Sequence, residues 1–473
     1  VLKRLENSLG CWFVIFTSFL FFLLRLPSLF EPLWYGDEGI YQVIGTSLNN
    51  GKLLYAEIFD NKPPLLYWLY SFFNSDQFTI RLISLIFGIL SVGAFFLLSK
   101  KLFTSNKIRF ITTAIFAFLF GLPTLEGNIA NAENFMLLPI LISAFFVVSQ
   151  KKYFLAGLLL GTAFLFKIVA IFDLSAFFIF YLIINFDSLK KTIKIPSIIL
   201  GFSLPVIAVS LFFLLNNTFI DFIKASFLAN ISYVSYGNKI GNIPILLFIK
   251  LALLGIFTLY LFAKRKKFSS VSLFILLWFA FSSFNALFSQ RPYTHYLLTL
   301  ISSFSLMVGL ILSEKKNKNL IAIIFIVLLM AIIKTFGIPK FIKSIYYYQN
   351  FISYVKGQKS MMQYQAFFDK NTPVDYEIAR FIKPKIQKGE TIFVWGNNAQ
   401  LYQLVGVVAP TKYVVAYHIT NYKDGAISTK NAIEKTKPKF IVVMSSENTT
   451  PFPLINYSKK ININKVMIYE GIF

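Results

Sequence analysis

Eleven apolar stretches, each near the ~20 residues that a bilayer's hydrocarbon core requires, decide most of what this chain can fold into. They lie at about 10–26, 79–99, 108–125, 133–149, 153–166, 168–186, 195–215, 244–263, 269–288, 293–313 and 319–337. The fifth and sixth form one run broken only near Lys167, either a tight hairpin or shorter re-entrant pieces. Composition agrees: of 473 residues 56% are apolar, 18% aromatic and only 14% charged, with a mean hydropathy of +0.65. A soluble domain carries about a quarter charged residues, so a soluble enzyme and a disordered chain are both excluded. The single cysteine, Cys11, rules out an internal disulfide, a Cys-based zinc site and an iron–sulfur cluster. Two histidines, His295 and His418, argue against a His-rich metal site. The expected class is a polytopic, all-α membrane protein.

The net charge of +25 would point to nucleic acid in a soluble protein, but here the charges follow topology. Every second connection is basic: Lys3 and Arg4; Lys100, Lys101, Lys107 and Arg109; Lys151 and Lys152; Lys190, Lys191 and Lys194; Lys264, Arg265, Lys266 and Lys267; Lys315, Lys316 and Lys318. The positive-inside rule makes these loops cytoplasmic. An odd count of spans then leaves the N-terminus inside and the C-terminus outside, in a cell inner or plasma membrane, and nucleic acid is not an expected partner. Lys3 and Arg4 before the first apolar run, with no clear small-residue cleavage site, read as an uncleaved signal anchor.

From about Lys340 the composition changes. Short β-type runs at Thr391–Trp395, Tyr413–Ala416, Phe440–Met444 and Val466–Tyr469 alternate with helical stretches around Tyr376–Ile386, Ala399–Val405 and Ala426–Lys435. The alternation predicts a small α/β domain with a partly parallel sheet, outside the membrane. The expected division is a transmembrane module over 1–339, with a first outer loop at 27–78, and an extracytoplasmic domain over 340–473. No Gly-rich phosphate loop opens a helix there.

The few carboxylates are distributed unevenly. Before residue 340 only Glu6, Asp187 and Glu314 fall on the cytoplasmic side. Six crowd the first outer loop (Glu31, Asp37, Glu38, Glu57, Asp60, Asp76), and Glu126, Glu133, Asp173 and Asp221 lie in outer loops or spans. One-sided carboxylates point to a polar site on the outer face, or to a solvated loop. The loop is rich in Trp, Tyr and Leu, as short interfacial helices are. Asp37 and Glu38 open a helical stretch to about Leu48, where the helix dipole alone would favour them. A carboxylate beside Trp34 and Tyr35 can also serve as a base.

The segments D-E-G-I-Y at 37–41, G-K-L-L-Y at 51–55 and D-N-K-P-P-L-L-Y at 60–67 resemble the first outer loop of the protein-mannosyltransferase superfamily, whose bacterial relatives include the lipid A aminoarabinose transferases. Further similar patches are R-L-I-S-L-I-F-G at 81–88, A-N-A-E-N-F at 130–135, G-L-L-L-G-T-A-F-L-F-K at 157–167 and R-P-Y-T-H-Y-L-L at 291–298. The resemblance covers about residues 10–300. It implies a GT-C fold and an inverting glycosyltransferase that moves a sugar from a polyprenyl-phosphate donor to a lipid, glycan or protein acceptor on the outer face.

Residue by residue, the resemblance makes Asp37 the carboxylate that activates the acceptor or supports the reaction centre. Glu38 orients acceptor or donor, with helix capping as the alternative. Lys62, presented from the rigid Pro63-Pro64 turn, binds the donor phosphate, or is an interfacial snorkelling lysine. Arg291, His295 and Tyr296 hold the same phosphate, since a cation stabilises charge developing on a leaving phosphate; a merely buried histidine is the alternative for His295. Asp60, Tyr67, Arg81, Glu133 and Lys167 line the substrate cavity. Glu133 is a candidate because ionisable groups in spans are functional by default, with an interfacial cap as its alternative. Asp173 is a weaker candidate, paired with Lys167.

The chain departs from the aminoarabinose transferases at Asn61, where those enzymes carry a glutamate near a bound metal. A divalent metal is therefore only possible here, and that particular activity is disfavoured. A transporter or flippase is the competing reading. It predicts repeated halves and polar residues spread through the midplane, and the sequence has neither. A membrane-anchored binding protein would leave the first loop's carboxylates and Lys62 without a purpose.

Overall fold

The computed structural model describes residues 2–150, 152–186, 195–239, 243–444, 454 and 456–473. Lys151, Asp187, Lys190, Lys191 and Lys194 of the loop-charge reading lie outside the described residues, as do the side chains of Lys3, Arg4 and Glu6. The chain forms two compact units. One comprises Val1–Leu26, Leu82–Phe212 and Phe227–Ile345; the other comprises Pro27–Arg81, Phe213–Ser226 and Tyr346–Phe473. Packing thus groups the first loop with the C-terminal residues, whereas composition divides the chain near residue 340.

Each of the eleven apolar stretches contains a helix. Eight helical segments are long and apolar enough to cross a membrane: Ser8–Phe30, Gln77–Leu102, Ala132–Ser149, Ile168–Asn185, Ser197–Leu215, Ile245–Ala263, Ser270–Leu287 and Lys318–Phe336. The protein is a multi-pass membrane protein. The other three stretches hold shorter helices, Asn106–Gly121, Tyr153–Phe166 and Ile301–Ser313, of 16, 14 and 13 residues. At 1.5 Å per residue these are about 24, 21 and 20 Å long, less than a ~30 Å hydrocarbon core. Each has a local cause. Leu122, extended before Pro123, ends the first. Lys167, extended at φ −156° and ψ 127°, ends the second and resolves the fifth and sixth stretches into two helices. The third is preceded by the 3-10 helix Thr294–Thr299, whose six residues rise about 12 Å.

Inside the first unit, Ser270–Leu287 is almost wholly buried. Its Phe274 stacks on Phe177 of the Ile171–Asn185 helix. The G-L-L-L-G segment is a close helix crossing. A Cβ on Gly157 would lie 2.0 Å from the Ile198 carbonyl oxygen, and one on Gly201 2.0 Å from that of Phe154. Small residues permit such approach where lipid offers no hydrophobic drive between helices. Ile245–Ala263 keeps Phe248, Leu253, Ile256 and Leu259 exposed, as a helix facing lipid does.

In the second unit a four-stranded sheet runs in the order β1-β2-β4-β3, with β1 Ile392–Trp395, β2 Phe440–Val443, β3 Tyr457–Ile463 and β4 Val466–Gly471. β1 and β2 are parallel and the other pairs antiparallel. The parallel pair needs a long crossover, supplied by the helices Gln400–Val405, Ala416–Asn421 and Gly425–Thr436. The helix expected around Tyr376–Ile386 is Thr372–Ile382 followed by a 3-10 turn at Lys383–Lys385.

The strands differ from expectation in two places. Tyr413–Ala416 is not a strand. Val414 and Val415 are buried, Ala416 N–H donates to Gly396 O at 2.9 Å, and the chain enters a helix. A short buried apolar run does not reveal its backbone type by pattern alone. Conversely β3 was not foreseen. Its outer-edge Lys459 and Lys460 dilute the β signal, but Asn464 and Lys465, at φ 49° and 68°, form the two-residue hairpin turn that pairs it with β4.

The first loop folds as the helices Gly36–Asn49 and Pro64–Phe72. Gly39 is where the Gln400–Val405 helix comes closest, since a Cβ there would lie 2.8 Å from Gln400 N.

Candidate active site

The unit that contains the first loop places Asp37 in the first turn of Gly36–Asn49 and Lys62 just before Pro64–Phe72. Pro64 at the first helical position costs no hydrogen bond, because that N–H would be unpaired anyway. Lys62 Nζ lies 3.4 Å from Asp37 Oδ2, 3.6 Å from Asp60 Oδ2 and 4.8 Å above the Tyr41 ring. Asp37 Oδ2 accepts from the Tyr41 hydroxyl at 3.1 Å, and Asp60 Oδ2 from the Tyr67 hydroxyl at 2.7 Å.

The lysine's backbone is held as firmly as its head. Its N–H donates to Tyr67 Oη at 3.1 Å, and its carbonyl accepts from the Tyr55 hydroxyl at 2.7 Å. Ser226 donates to Tyr55 Oη at 3.1 Å. Burial pushes both phenols well above their ordinary value, and for Tyr67 the Asp60 charge adds to it, so both remain donors. The carboxylates differ in access: Asp60 has 2% of its side chain exposed and Asp37 36%. His418 Nε2 lies 3.6 Å from Asp60 Oδ1. Its burial lowers the imidazole to about 4, so His418 is neutral at neutral pH.

Glu38 and Arg81 are also brought together, beside Asp37 in sequence but inside the protein. Arg81, with no exposed side-chain surface, grips Glu38 through Nη2–Oε2 at 2.5 Å and Nε–Oε1 at 3.1 Å, the bidentate geometry that suits guanidinium and carboxylate. Its Nη1 lies 2.8 Å from Glu31 Oε2 and donates to Ser28 O at 2.7 Å. Glu31 further accepts from Trp34 Nε1 at 2.8 Å and from the Tyr347 hydroxyl at 2.5 Å. This buried network ties the start of the Asp37 helix to the preceding chain.

The other unit assembles a second cluster. Glu133 lies in the first turn of Ala132–Phe145 and pairs with Lys167 Nζ. His295 Nε2 is 3.9 Å from Glu133 Oε1, and its Nδ1 is 3.0 Å from Glu126 Oε2. Lys167 Nζ lies 4.7 Å above the Tyr296 ring. Arg291 is half-buried on the connection preceding His295. Asp173 is not the partner of Lys167: it accepts from Trp278 Nε1 at 2.7 Å, because Glu133 already takes the ammonium.

Among the described residues no group of three or more His, Cys, Asp or Glu side chains is placed to hold a metal. Asn61 offers no charge, and the Lys62 ammonium lies between Asp37 and Asp60. A second cation does not suit that arrangement. Glu31, Glu126, Ser226 and His418 are the polar partners that reading the sequence did not assign. Nothing local marks them, since each is defined by a contact with a residue distant in the chain or in a separate element.

Residues 61–213 match the model of the family described as dolichyl-phosphate-mannose-protein mannosyltransferase. No curated protein matches the sequence. Among solved structures, ArnT from Cupriavidus metallidurans bound to undecaprenyl phosphate is similar at 12% identity and a TM-score of 0.54, with 98% of each chain covered. The apo state of that protein is similar at 12% identity and 0.56, again with 98% of each chain covered. Lys62 thus falls at the start of the segment that matches the mannosyltransferase family, with Asp37 and Asp60 just before it, and the whole chain carries an ArnT-like multi-pass membrane fold.

Proposed function

We infer that the protein transfers a sugar from a polyprenyl-phosphate donor to a lipid, glycan or protein acceptor on the outer face of the membrane, in one displacement with inversion. The observation that carries this reading is the half-exposed Asp37 carboxylate held beside the Lys62 ammonium, with Lys62 anchored at both backbone groups. Both the dolichyl phosphate of the matching family's description and the undecaprenyl phosphate of the ArnT structure are polyprenyl phosphates. A lipid phosphate is already a good leaving group, so the site needs only a base and cations. The acceptor atom bonds to the sugar's anomeric carbon as its proton passes to Asp37. The bond from that carbon to the phosphate oxygen breaks, and its electron pair leaves as phosphate charge beside Lys62. Asp60 and Tyr67 hold Lys62 in place, and Glu38 with Arg81 holds the helix that carries Asp37. In the other unit, Arg291, His295 and Tyr296 are assigned to the donor phosphate, and Glu133 and Lys167 to the substrate cavity.

The direct test incubates purified protein with radiolabelled polyprenyl-phosphate sugars and membrane lipids. Transferred label with the opposite anomeric configuration is expected. No transfer from any polyprenyl-phosphate donor, or retention at the anomeric carbon, would overturn this reading or its displacement step.

Lys62→Ala is expected to weaken binding of polyprenyl phosphate by about 10–100-fold, the worth of a charge-assisted hydrogen bond at ~1.5–3 kcal/mol. Lys62→Arg keeps the cation and should lose much less. Titration of the purified variants decides it: unchanged affinity in a folded Lys62→Ala protein removes the phosphate role.

For topology, residues 1–339 form the transmembrane module and 340–473 the extracytoplasmic domain, with the N-terminus in the cytoplasm. Between Lys266 and the C-terminus lie the helices Ser270–Leu287, Ile301–Ser313 and Lys318–Phe336. Reporters fused at Lys266 and at the C-terminus should therefore report opposite sides. Agreement between them would mean that the 13-residue Ile301–Ser313 helix, even with its 3-10 extension, does not cross.

A further inference from the structure

Glu126 has no role in the transfer reaction as described, yet its geometry is costly to maintain. It sits at φ 59° and ψ 24° after the 3-10 turn Pro123–Leu125. This is the left-handed region, which a residue with a Cβ enters only at an energetic cost. The turn leaves little room to relax. Glu126 N–H donates to Pro123 O at 2.9 Å, its carbonyl accepts from Ile129 N–H at 3.2 Å, and a Cβ on the next residue, Gly127, would lie 1.9 Å from Phe120 O. The side chain so directed meets both leading residues of the Thr294–Thr299 helix. Thr294 Oγ1 donates to Oε1 at 2.5 Å, and His295 Nδ1 lies 3.0 Å from Oε2. With the Glu126 carboxylate accepting here as it does from Thr294, the hydrogen of this contact is on Nδ1. The ring plane is also confined: Tyr293 stacks at 5.8 Å and 6°, and Tyr296 meets it edge-on at 4.6 Å and 82°. Nε2 then faces Glu133 Oε1 at 3.9 Å.

We propose that Glu126 is a positioning residue for the transfer reaction: it holds the Nδ1–H of His295 on its own carboxylate and turns Nε2 toward the Glu133–Lys167 pair. This rests on the reading of His295 as a donor-phosphate residue. A hydrogen-bonded carboxylate that fixes an imidazole's tautomer decides which nitrogen meets the chemistry. The left-handed backbone is retained because that conformation delivers the carboxylate.

The test uses the full-length protein and substitutions that tolerate the left-handed backbone. Glu126→Gly removes the carboxylate and relieves the backbone. Glu126→Asn also accepts this conformation and is too short to reach the ring, so it carries the test if the glycine variant fails to fold. With two histidines in the chain, 15N-histidine spectra resolve His295 against His418. The wild type should show His295 with its Nδ1 hydrogen held on Glu126, and both variants should lose that signature. Their kcat should fall about a hundredfold, as for a misplaced reacting group, and their donor KM should rise as the phosphate loses a partner. Glu126→Gln, which still offers an acceptor oxygen, should stay within about tenfold of wild type, a small part of the range a positioned acid or base contributes. Unchanged spectra in the Gly or Asn variant, or wild-type kcat there while His295→Ala is inactive, overturns the inference. Full turnover in both the Glu126 variants and His295→Ala, even with altered spectra, would remove His295 from the reaction and overturn the inference as well.

Discussion

Asp37→Asn is expected to fold, express and bind polyprenyl phosphate like the wild type while losing about 10²–10⁴-fold in transfer rate, the usual contribution of a general base. The amide is nearly isosteric and can still accept from the Tyr41 hydroxyl, which now bonds Asp37 Oδ2 at 3.1 Å. A lost contact at a helix start is worth about 1 kcal/mol, which cannot imitate such a loss. The measurement is the initial rate at saturating donor, with thermal stability recorded alongside. Wild-type rates in a well-folded variant would remove Asp37 as the base. If activity and stability fall together, Asp37→Glu decides: the charge survives but moves by one methylene, so a base held in a set geometry still shows a large loss.

The largest stability effect is expected at Arg81. Its side chain is fully buried, and Glu31 and Glu38 both depend on it. Arg81→Met leaves two buried carboxylates without a cation, and removing one partner of a buried ion pair costs about 3–5 kcal/mol. The variant should therefore melt far below the wild type or fail to accumulate. The combination Arg81→Met, Glu31→Gln and Glu38→Gln removes the stranded charges and should recover most of the melting temperature. Thermal denaturation in detergent reads both. A folded, inactive triple variant would show that the network serves geometry around Asp37 beyond holding the fold. A melting temperature for Arg81→Met equal to wild type would overturn the account of these charges.

The membrane-embedded part was legible because its signals are local. An apolar stretch, a flanking Lys or Arg and a Pro-Pro turn state their preferences within one segment, and each expected span does contain a helix. The resemblance of the 37–41 and 60–67 segments found Asp37, Asp60, Lys62 and Tyr67 together, because the two short helices that present them adjoin in sequence. Two helices proved shorter than the apolar runs that predicted them, since hydropathy counts residues and does not see where Pro123 stops the hydrogen-bond ladder or where Thr294–Thr299 winds as a 3-10 helix, whereas the break near Lys167 fell where the sequence placed it. β3 was missed because its lysines mask a strand whose partner is what defines it.

The sequence by itself determined the class: a polytopic membrane protein with its carboxylates concentrated in one loop, a lysine on a rigid turn, and the pattern of a glycosyltransferase. Tertiary structure alone decided which charges meet. It set His418, from a segment more than 350 residues away, beside Asp60; it gave Glu38 to Arg81, Glu133 to Lys167 and Asp173 to Trp278; and it aimed Glu126 at His295. The physical reason is that a helix's length and apolarity are summed over neighbours in the chain, while an ion pair is satisfied by whichever opposite charge packing brings within reach. In a buried site of low dielectric that choice carries a large energy, and no local pattern records it.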